Sequence, residues 1–345
     1  MYDSNTQAIS DKLAQASSTF FTQDTINSIL SLISTGTDSS VKVDTVQPSS
    51  NGLVTVESGT NIVFVSTSDT QVTKVAVNAD VPAIFFQGAG GVDASIGSQP
   101  STADGNKAAA SADPDAIVRV VVGTAGADTI TITDAKNTQV VAGDKDVVKA
   151  GNGHTVVVAA EGSSTVVGGA ETIVQAKGGD KDFTVSVENG HVKITNAATH
   201  VSVDMTGVQY VQLDNKEALI FADNATQATV ANLYHAVFGR TAEFAGLEFW
   251  FQQADKGISL KAIAEGFMAS SEYKLANTTD AQFIDALYHG VLGRSGEDAG
   301  NEFWTNVLEH GISRAEVIVA FADAAATSAN EATIVGSVTI VPHTV

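Results

Sequence analysis

Residues 233–250 read Leu-Tyr-His-Ala-Val-Phe-Gly-Arg-Thr-Ala-Glu-Phe-Ala-Gly-Leu-Glu-Phe-Trp, and residues 287–304 read Leu-Tyr-His-Gly-Val-Leu-Gly-Arg-Ser-Gly-Glu-Asp-Ala-Gly-Asn-Glu-Phe-Trp. The offset of 54 residues continues past the motif, from Gly257-Ile258-Ser259 to Gly311-Ile312-Ser313 and from Phe267 to Phe321. An internal duplication constrains a chain more than any local pattern does, because each copy must build the same unit and stack on its neighbour. Val230, Leu233, Tyr234, Val237 and Phe238 follow helical spacing, as do Ile284, Leu287, Tyr288, Val291 and Leu292 in the second copy. Gly239 and Gly293 predict the end of that helix. A second helix carries Phe249-Trp250 or Phe303-Trp304, and a third starts at the N-cap serines Ser259 and Ser313. Ser313 with Glu316, and Thr279 with Gln282, have capping-box spacing.

Upstream the pattern is β. Leu53–Val56, Ile62–Val65, Val72–Val77 and Ala83–Phe86 are short β-branched or aromatic runs between turn residues. Residues 97–115 hold almost no apolar bulk. From 116 to 176 a small motif recurs as Asp128-Thr-Ile130, His154-Thr-Val156, Ser164-Thr-Val166 and Glu171-Thr-Ile173, with Asp146-Val-Val148 as a variant. Adding Val140 gives expected inward residues at 130, 140, 148, 156, 166 and 173. A rung of about nine residues buries its apolar side only by stacking on the next. Phe183–Val187, the Asn189-Gly190 turn and His191–Ile194 then predict a hairpin. Near the N-terminus, Ile9, Leu13 and Ala16, and then Ile26, Ile29, Leu30 and Ile33, predict one or two helices.

The sequence thus predicts a mainly β chain with α: a parallel β-roll or β-helix-like solenoid body, N-terminal helices and a C-terminal all-α tandem-repeat domain. The expected division is a helical segment at 1–40, a β-rich domain at 41–96 and a linker or long loop at 97–115. A solenoid with closing strands follows at 116–224, then the duplicated helices at 225–330. The tail at 331–345 reads as a secretion signal or a strand.

Composition narrows the function. The net charge of −21 disfavours nucleic acid, whose phosphates need clustered cations. No apolar run approaches the ~20 residues of a membrane span. The first residues read as no signal peptide. Zero cysteine excludes disulfides and thiolate metal sites, and His235 and His289 have no second His at zinc spacing. No nucleophile elbow, phosphate loop or dinucleotide fingerprint occurs, so no catalytic residue is assigned.

Gly123-Thr-Ala-Gly126-Ala-Asp128-Thr-Ile130-Thr fits the nonapeptide Gly-Gly-x-Gly-x-Asp-x-aliphatic-x at four of five defined positions, with Thr124 in place of the second glycine. The stretch resembles, in degenerate form, the calcium-binding RTX-type β-roll of secreted bacterial proteins. His154 and Ser164 stand where that family has aspartate. The resemblance implies calcium as a cofactor, with Asp128 and Asp146 as the best pair and Asp144, Asp180 and Asp182 as further ligands. The competing reading is a metal-free solenoid held by Val/Thr ladders, with Gly179–Asp182 only a polar corner. The duplicated pattern Leu-Tyr-x-x-Val/Leu-x-Gly-Arg-x-x-acid-x-x-Gly, closed in copy one by Ser270-Ser-Glu272, is similar to a helical family related to phycobilisome linker domains. That family occurs in RTX-type and S-layer proteins of Gram-negative bacteria. Copy two lacks the Ser-x-Glu close.

These resemblances imply a secreted or cell-surface protein of a Gram-negative bacterium, exported in one step (type I) and not an enzyme. The expected function is structural, as an S-layer, filament or biofilm-matrix component that self-associates into an oligomer, lattice or filament, or attaches to the surface, aided by calcium. The alternatives are a module that binds surface polysaccharide or lipopolysaccharide, with Arg240 and Arg294 as its ligand-binding residues, and a polysaccharide-modifying enzyme. The competing reading of both arginines is a fixed bond to a carboxylate such as Glu243 or Glu297.

Overall fold

The computed structural model describes residues 2–4, 23–33, 41–97, 115–169, 171–327 and 338–340. The expected helical stripe Ile9, Leu13 and Ala16, and nearly all of the loop at 97–115, lie outside the described residues. The chain divides into two compact units, Met1–Val208 and Gln209–Val345.

In the first unit, β1 (Tyr2–Ser4) precedes helix α1 (Gln23–Ile33). There follow β2 (Val41–Val46), β3 (Leu53–Val54), β4 (Ile62–Ser66), β5 (Thr73–Val77), β6 (Ala83–Gln87) and β7 (Val92–Ile96). Beyond the 98–114 segment come β8 (Arg119–Val122), β9 (Thr129–Ile132), β10 (Thr138–Ala142), β11 (Asp146–Lys149), β12 (Thr155–Ala159), β13 (Ser163–Val167) and β14 (Thr172–Gln175). From β2 to β14, successive strands go to alternate sheets. One sheet has the order β1-β2-β4-β6-β8-β10-β12-β14, and all its pairs after β1–β2 are parallel. The other takes the strands between. It ends in β15 (Phe183–Glu188), β16 (His191–Asn196) and β17 (Val201–Thr206), with β17 parallel to β13 and antiparallel to β16. β6 pairs with β8 and β7 with β9, so strands before and after the 98–114 segment share both sheets.

The two sheets bury their residues differently. In the second sheet burial alternates along the strands, as in β9 and β11, where Ile130 and Val148 face inward. In the first sheet β8 and β10 are buried at every residue. Helix α1 explains this. Its Ile26, Ile29 and Ile33 pack with Val41, Val43, Ile62, Ala83, Phe85, Val120, Val122 and Val141 on the sheet's other face. Phe64 and Phe85 stack on the same face, ring centroids 5.1 Å apart.

Register corrects one expectation. Val140 pairs with Val157, and Val157 with Val174, so these three form the inner column. Val156 and Ile173 sit one residue away, on the helix-covered face. Ile130, Val148 and Val166 do stack in one column, as expected.

The second unit starts with β18 (Tyr210–Gln212) and β19 (Ala218–Ala222), which are antiparallel. Six helices follow: α2 (Ala225–Phe238), α3 (Phe244–Asp255), α4 (Leu260–Met268), α5 (Asp280–Leu292), α6 (Asp298–Glu309) and α7 (Arg314–Thr327). β20 (Val338–Ile340) then pairs in parallel with β19. The caps explain the boundaries. Ser259 and Thr279 accept from Ala262 and Gln282 N–H, and Ser313 forms its box with Glu316. Gly239 and Gly293 end their helices at φ of 65° and 63°, the left-handed geometry that glycine adopts without strain.

The copies are not equivalent in burial. Helix α2 is buried on nearly every side, including Thr229, Asn232 and His235. Its counterpart α5 buries only Phe283, Ile284, Leu287, Tyr288 and Val291. Copy two carries Gln282, Asp285 and His289 where copy one has Ala228, Ala231 and His235. It has the polar outer face of a terminal repeat.

Candidate functional site

The first candidate is the aspartate column of the second sheet. Asp128 and Asp146 are in register on adjacent strands of that sheet, and Ser164 continues the column. Both carboxylates are buried to about 1% exposure, and both face N–H groups. Asp128 accepts from Val92 N at 2.8 Å, Thr124 N at 2.5 Å and Thr124 Oγ1 at 2.7 Å. Asp146 accepts from Asp128 N at 2.8 Å and Gly143 N at 2.6 Å. Each carboxylate thus satisfies its own turn and an amide at the start of the neighbouring strand, where buried donors would otherwise be unpaired. Gly123, the first glycine of the nonapeptide, makes room for this: a Cβ there would meet Asp128 Oδ2.

Burial raises the pKa of both acids. Asp146 is pushed up to about 7 although the N–H groups of Gly143 and Asp128 pull it down. Asp128 is raised by burial against the bonds from Thr124 and Val92. Calcium needs about six to eight oxygen ligands converging on one point. At Asp128 and Asp146 the converging groups are donors, so these residues do not fit the ion.

The other expected ligands have partners of their own. Asp144 is exposed and accepts from Ser163 N at 2.9 Å and Oγ at 3.1 Å, bonds that hold its carboxyl below the usual range. Asp180 and Asp182 lie in a single 3-10 turn, where Asp182 Oδ2 accepts from Gly179 N at 2.7 Å. Among the described residues no group of three or more His, Cys, Asp or Glu is placed to hold a metal ion.

The second candidate is the repeated constellation of the helical unit. Arg240 forms a bidentate pair with Glu272, at 2.6 and 3.2 Å, and its guanidinium lies 5.6 Å from the Tyr234 ring centroid. Glu243, one of the expected partners, stands at 3.9 Å. Hydrogen bonding to Glu272 raises the Arg240 pKa further and lowers that of the carboxylate. Arg294 is exposed, packs 5.5 Å from Tyr288 and donates to Ser295 O at 3.5 Å. Copy two has Ala326 at the position of Glu272. The motif's second glycine serves the tyrosine: a Cβ at Gly246 would lie 2.5 Å from Tyr234 Oη, and one at Gly300 would meet Tyr288 Oη. Trp250 packs on Phe267 and Trp304 on Phe321, with centroids 5.0 and 5.1 Å apart. The Tyr, second Gly and Trp positions therefore hold helix to helix, and Arg240 ties its helix end to Glu272 in the segment before the next repeat.

Three features escaped the sequence. Phe249 and Phe303, read with the tryptophans as one helix motif, are 52% and 57% exposed. Their recurrence 54 residues apart was the available signal. His235 is buried, its Nε2 has no hydrogen-bond partner among the described residues, and burial pushes its pKa down to about 4. Arg119 is buried to 2% and donates to both Asp134 oxygens at 2.9 and 2.7 Å and to Thr138 Oγ1 at 3.1 and 2.8 Å. No sequence pattern marks it.

Residues 218–277 and 264–330 each match a family described as a domain of unknown function, DUF4214. The similarity falls on the duplicated helices and leaves residues 1–217 outside it. No curated protein and no solved structure matches the chain.

Proposed function

We propose that this is a non-enzymatic structural protein of the cell surface or extracellular matrix, exported by a Gram-negative bacterium, that self-assembles or attaches to that surface. The supporting observation is the register of the two parallel sheets. Ile130, Val148 and Val166 recur every 18 residues, which favours reading residues 41–208 as a β-roll solenoid, an element whose uncovered sheet face and edges are open to contact. Asp128 and Asp146 are engaged within the β body, and Arg240, Tyr234 and Trp250 within the helical unit. No helix among the described residues is long and apolar enough to cross a membrane. Calcium does not enter this reading through Asp128 and Asp146; an ion that drives assembly would act at contacts between copies. Electron microscopy and light scattering of the secreted protein, with calcium and with a chelator, test the reading. Ordered filaments or sheets support it, and a strictly monomeric particle under every condition overturns it.

A second reading is favoured by Phe249 and Phe303, which present the same exposed ring from each copy beside Trp250 and Trp304. It makes the helical unit a glycan-binding module, since flat apolar rings stack on sugar faces. Binding of the full chain to surface polysaccharide that is lost in Phe249→Ala/Phe303→Ala would establish it. Equal binding by that variant would remove it.

A further inference from the structure

The nine-stranded sheet ends differently at its two edges. At one edge β3 is two residues long, and the Leu53 carbonyl is closed by Ser49 through its N–H at 3.0 Å and its Oγ at 2.8 Å. At the other edge β15 runs for six residues, Phe-Thr-Val-Ser-Val-Glu, with no proline or lysine to blunt it. Its partner is β16, reached through a two-residue turn with Asn189 and Gly190 at φ of 51° and 77°. In such a hairpin the closing pair, here Glu188 and His191, is hydrogen-bonded, and bonded pairs then alternate along the strand. Thr184, Ser186 and Glu188 therefore turn their amides toward β16, while Phe183, Val185 and Val187 turn theirs outward. The Phe183 N–H is closed on Asp180 O. Among the described residues no strand pairs with this outer edge, and Val187 is 37% exposed.

We propose that β15 is a dimerisation edge, taking β15 of a second copy of this chain in antiparallel register about a two-fold axis through Val185. This rests on the self-assembly reading above and names its surface. The second copy is the occupant because the strand is complementary to itself. Setting Val185 opposite Val185 sets Phe183 opposite Val187 and Thr184 opposite Ser186. The residues matched are then the ones with outward amides, giving about four bonds: Val185 to Val185 in both directions, and each Val187 N–H to the other copy's Phe183 carbonyl. Apolar side chains continue on one face and hydroxyls on the other. A slip by one residue sets Val185 against Ser186 and breaks both matches. The two-fold makes the contact closed and isologous. At the end of the strand, Glu188 comes opposite Asp182 of the second copy, which lies just before that copy's β15, a like-charge pair that salt screens.

The chain has no cysteine, so Val185→Cys introduces a single thiol. A hydrogen-bonded antiparallel pair holds its Cα atoms about 5.5 Å apart, within disulfide reach. Under mild oxidation the full-length V185C chain should form a disulfide dimer at least roughly tenfold faster than S186C, which lies off the axis. Sedimentation should show the wild type associating reversibly, and more strongly as salt rises. Val185→Pro removes an outward N–H and no bond to β16, and should weaken association by roughly tenfold or more. Val185→Lys should do the same by charging the edge, with circular dichroism confirming that the sheets persist. Equal oxidation of V185C and S186C, or assembly unchanged in both V185P and V185K, overturns the β15 edge while leaving self-assembly standing. A wild type that stays monomeric at every concentration and salt overturns both.

Discussion

Arg119 gives the sharpest test of what holds the β body together. Its guanidinium lies at the start of β8 and reaches the turn before β10, where Asp134 takes two of its N–H groups and Thr138 takes two more contacts. The pair is shielded, with side-chain exposures of 2% and 12%. Arg119→Met keeps most of the apolar stem and removes the cation. Asp134 is then left as a shielded carboxylate without its countercharge, a change that typically costs about 3–5 kcal/mol. Asp134 keeps a slight opening to solvent and its bond to Lys136 N at 3.3 Å, so the lower end, about 3 kcal/mol, is expected. For a unit of this size that corresponds to a melting shift of roughly 6–12 °C. The assay is urea and thermal unfolding followed by circular dichroism in the strand region. The double variant Arg119→Met/Asp134→Asn removes the stranded charge and should recover about 2 kcal/mol relative to the sum of the single changes. A single variant within about 1 kcal/mol of wild type, or a double variant equal to that sum, would refute the reasoning.

His235 predicts an acid limb. Its folded pKa of about 4 lies below the ordinary value of 6.5, so the unfolded chain binds more protons between those limits. Stability is then complete above pH 6.5 and falls as pH drops toward 4, by about 3 kcal/mol. His235→Gln should flatten that limb in pH-dependent melts, and the same change at the exposed His289 serves as control. Gly246→Ala should destabilise the helical unit by about 1–3 kcal/mol by crowding Tyr234 Oη. Adding Tyr234→Phe, which removes that oxygen, should restore most of the loss in the same melts. Asp128→Ala should cost about 2–4 kcal/mol by stranding the Val92 and Thr124 amides. Calorimetry of the wild type with calcium or a chelator should leave the melting of this unit unchanged; a calcium-dependent rise that disappears in Asp128→Ala would restore the ion to that column.

Much of the helical unit was legible because its signals are local. The 54-residue offset, the left-handed glycines after Phe238 and Leu292, and the capping pairs at Thr279 and Ser313 act within a few residues of themselves. The Asn189-Gly190 hairpin was legible for the same reason. The roles inside the repeat were less so. Gly246 was part of a pattern, but only the approach of Tyr234 Oη explains it. Phe249 and Trp250 are adjacent and equally apolar, yet one faces solvent and the other packs on Phe267. Arg240 was open between ligand and scaffold until Glu272, 32 residues away, was placed beside it.

The sequence by itself determined the period of the β strands, the duplication of the helices and the residues available to each. Only the tertiary structure decided which of two adjacent valines is inside. In the second sheet one face meets solvent, so burial alternates along β9 and β11, and the recurring Asp/Ser-x-aliphatic spacing places Ile130, Val148 and Val166 inside even though Val147 and Val167 beside them are apolar. In the first, α1 covers the outer face and both residue parities are apolar, so Val156 and Val157 carry no signal that separates them. Register, which turns every side chain over when it slips by one, is fixed there by the paired strands on either side. The aspartates follow the same rule. Asp128 and Asp146 are ligand-type residues in the sequence, and the N–H groups of Val92, Thr124, Gly143 and, for Asp146, Asp128 turned them into caps for the backbone.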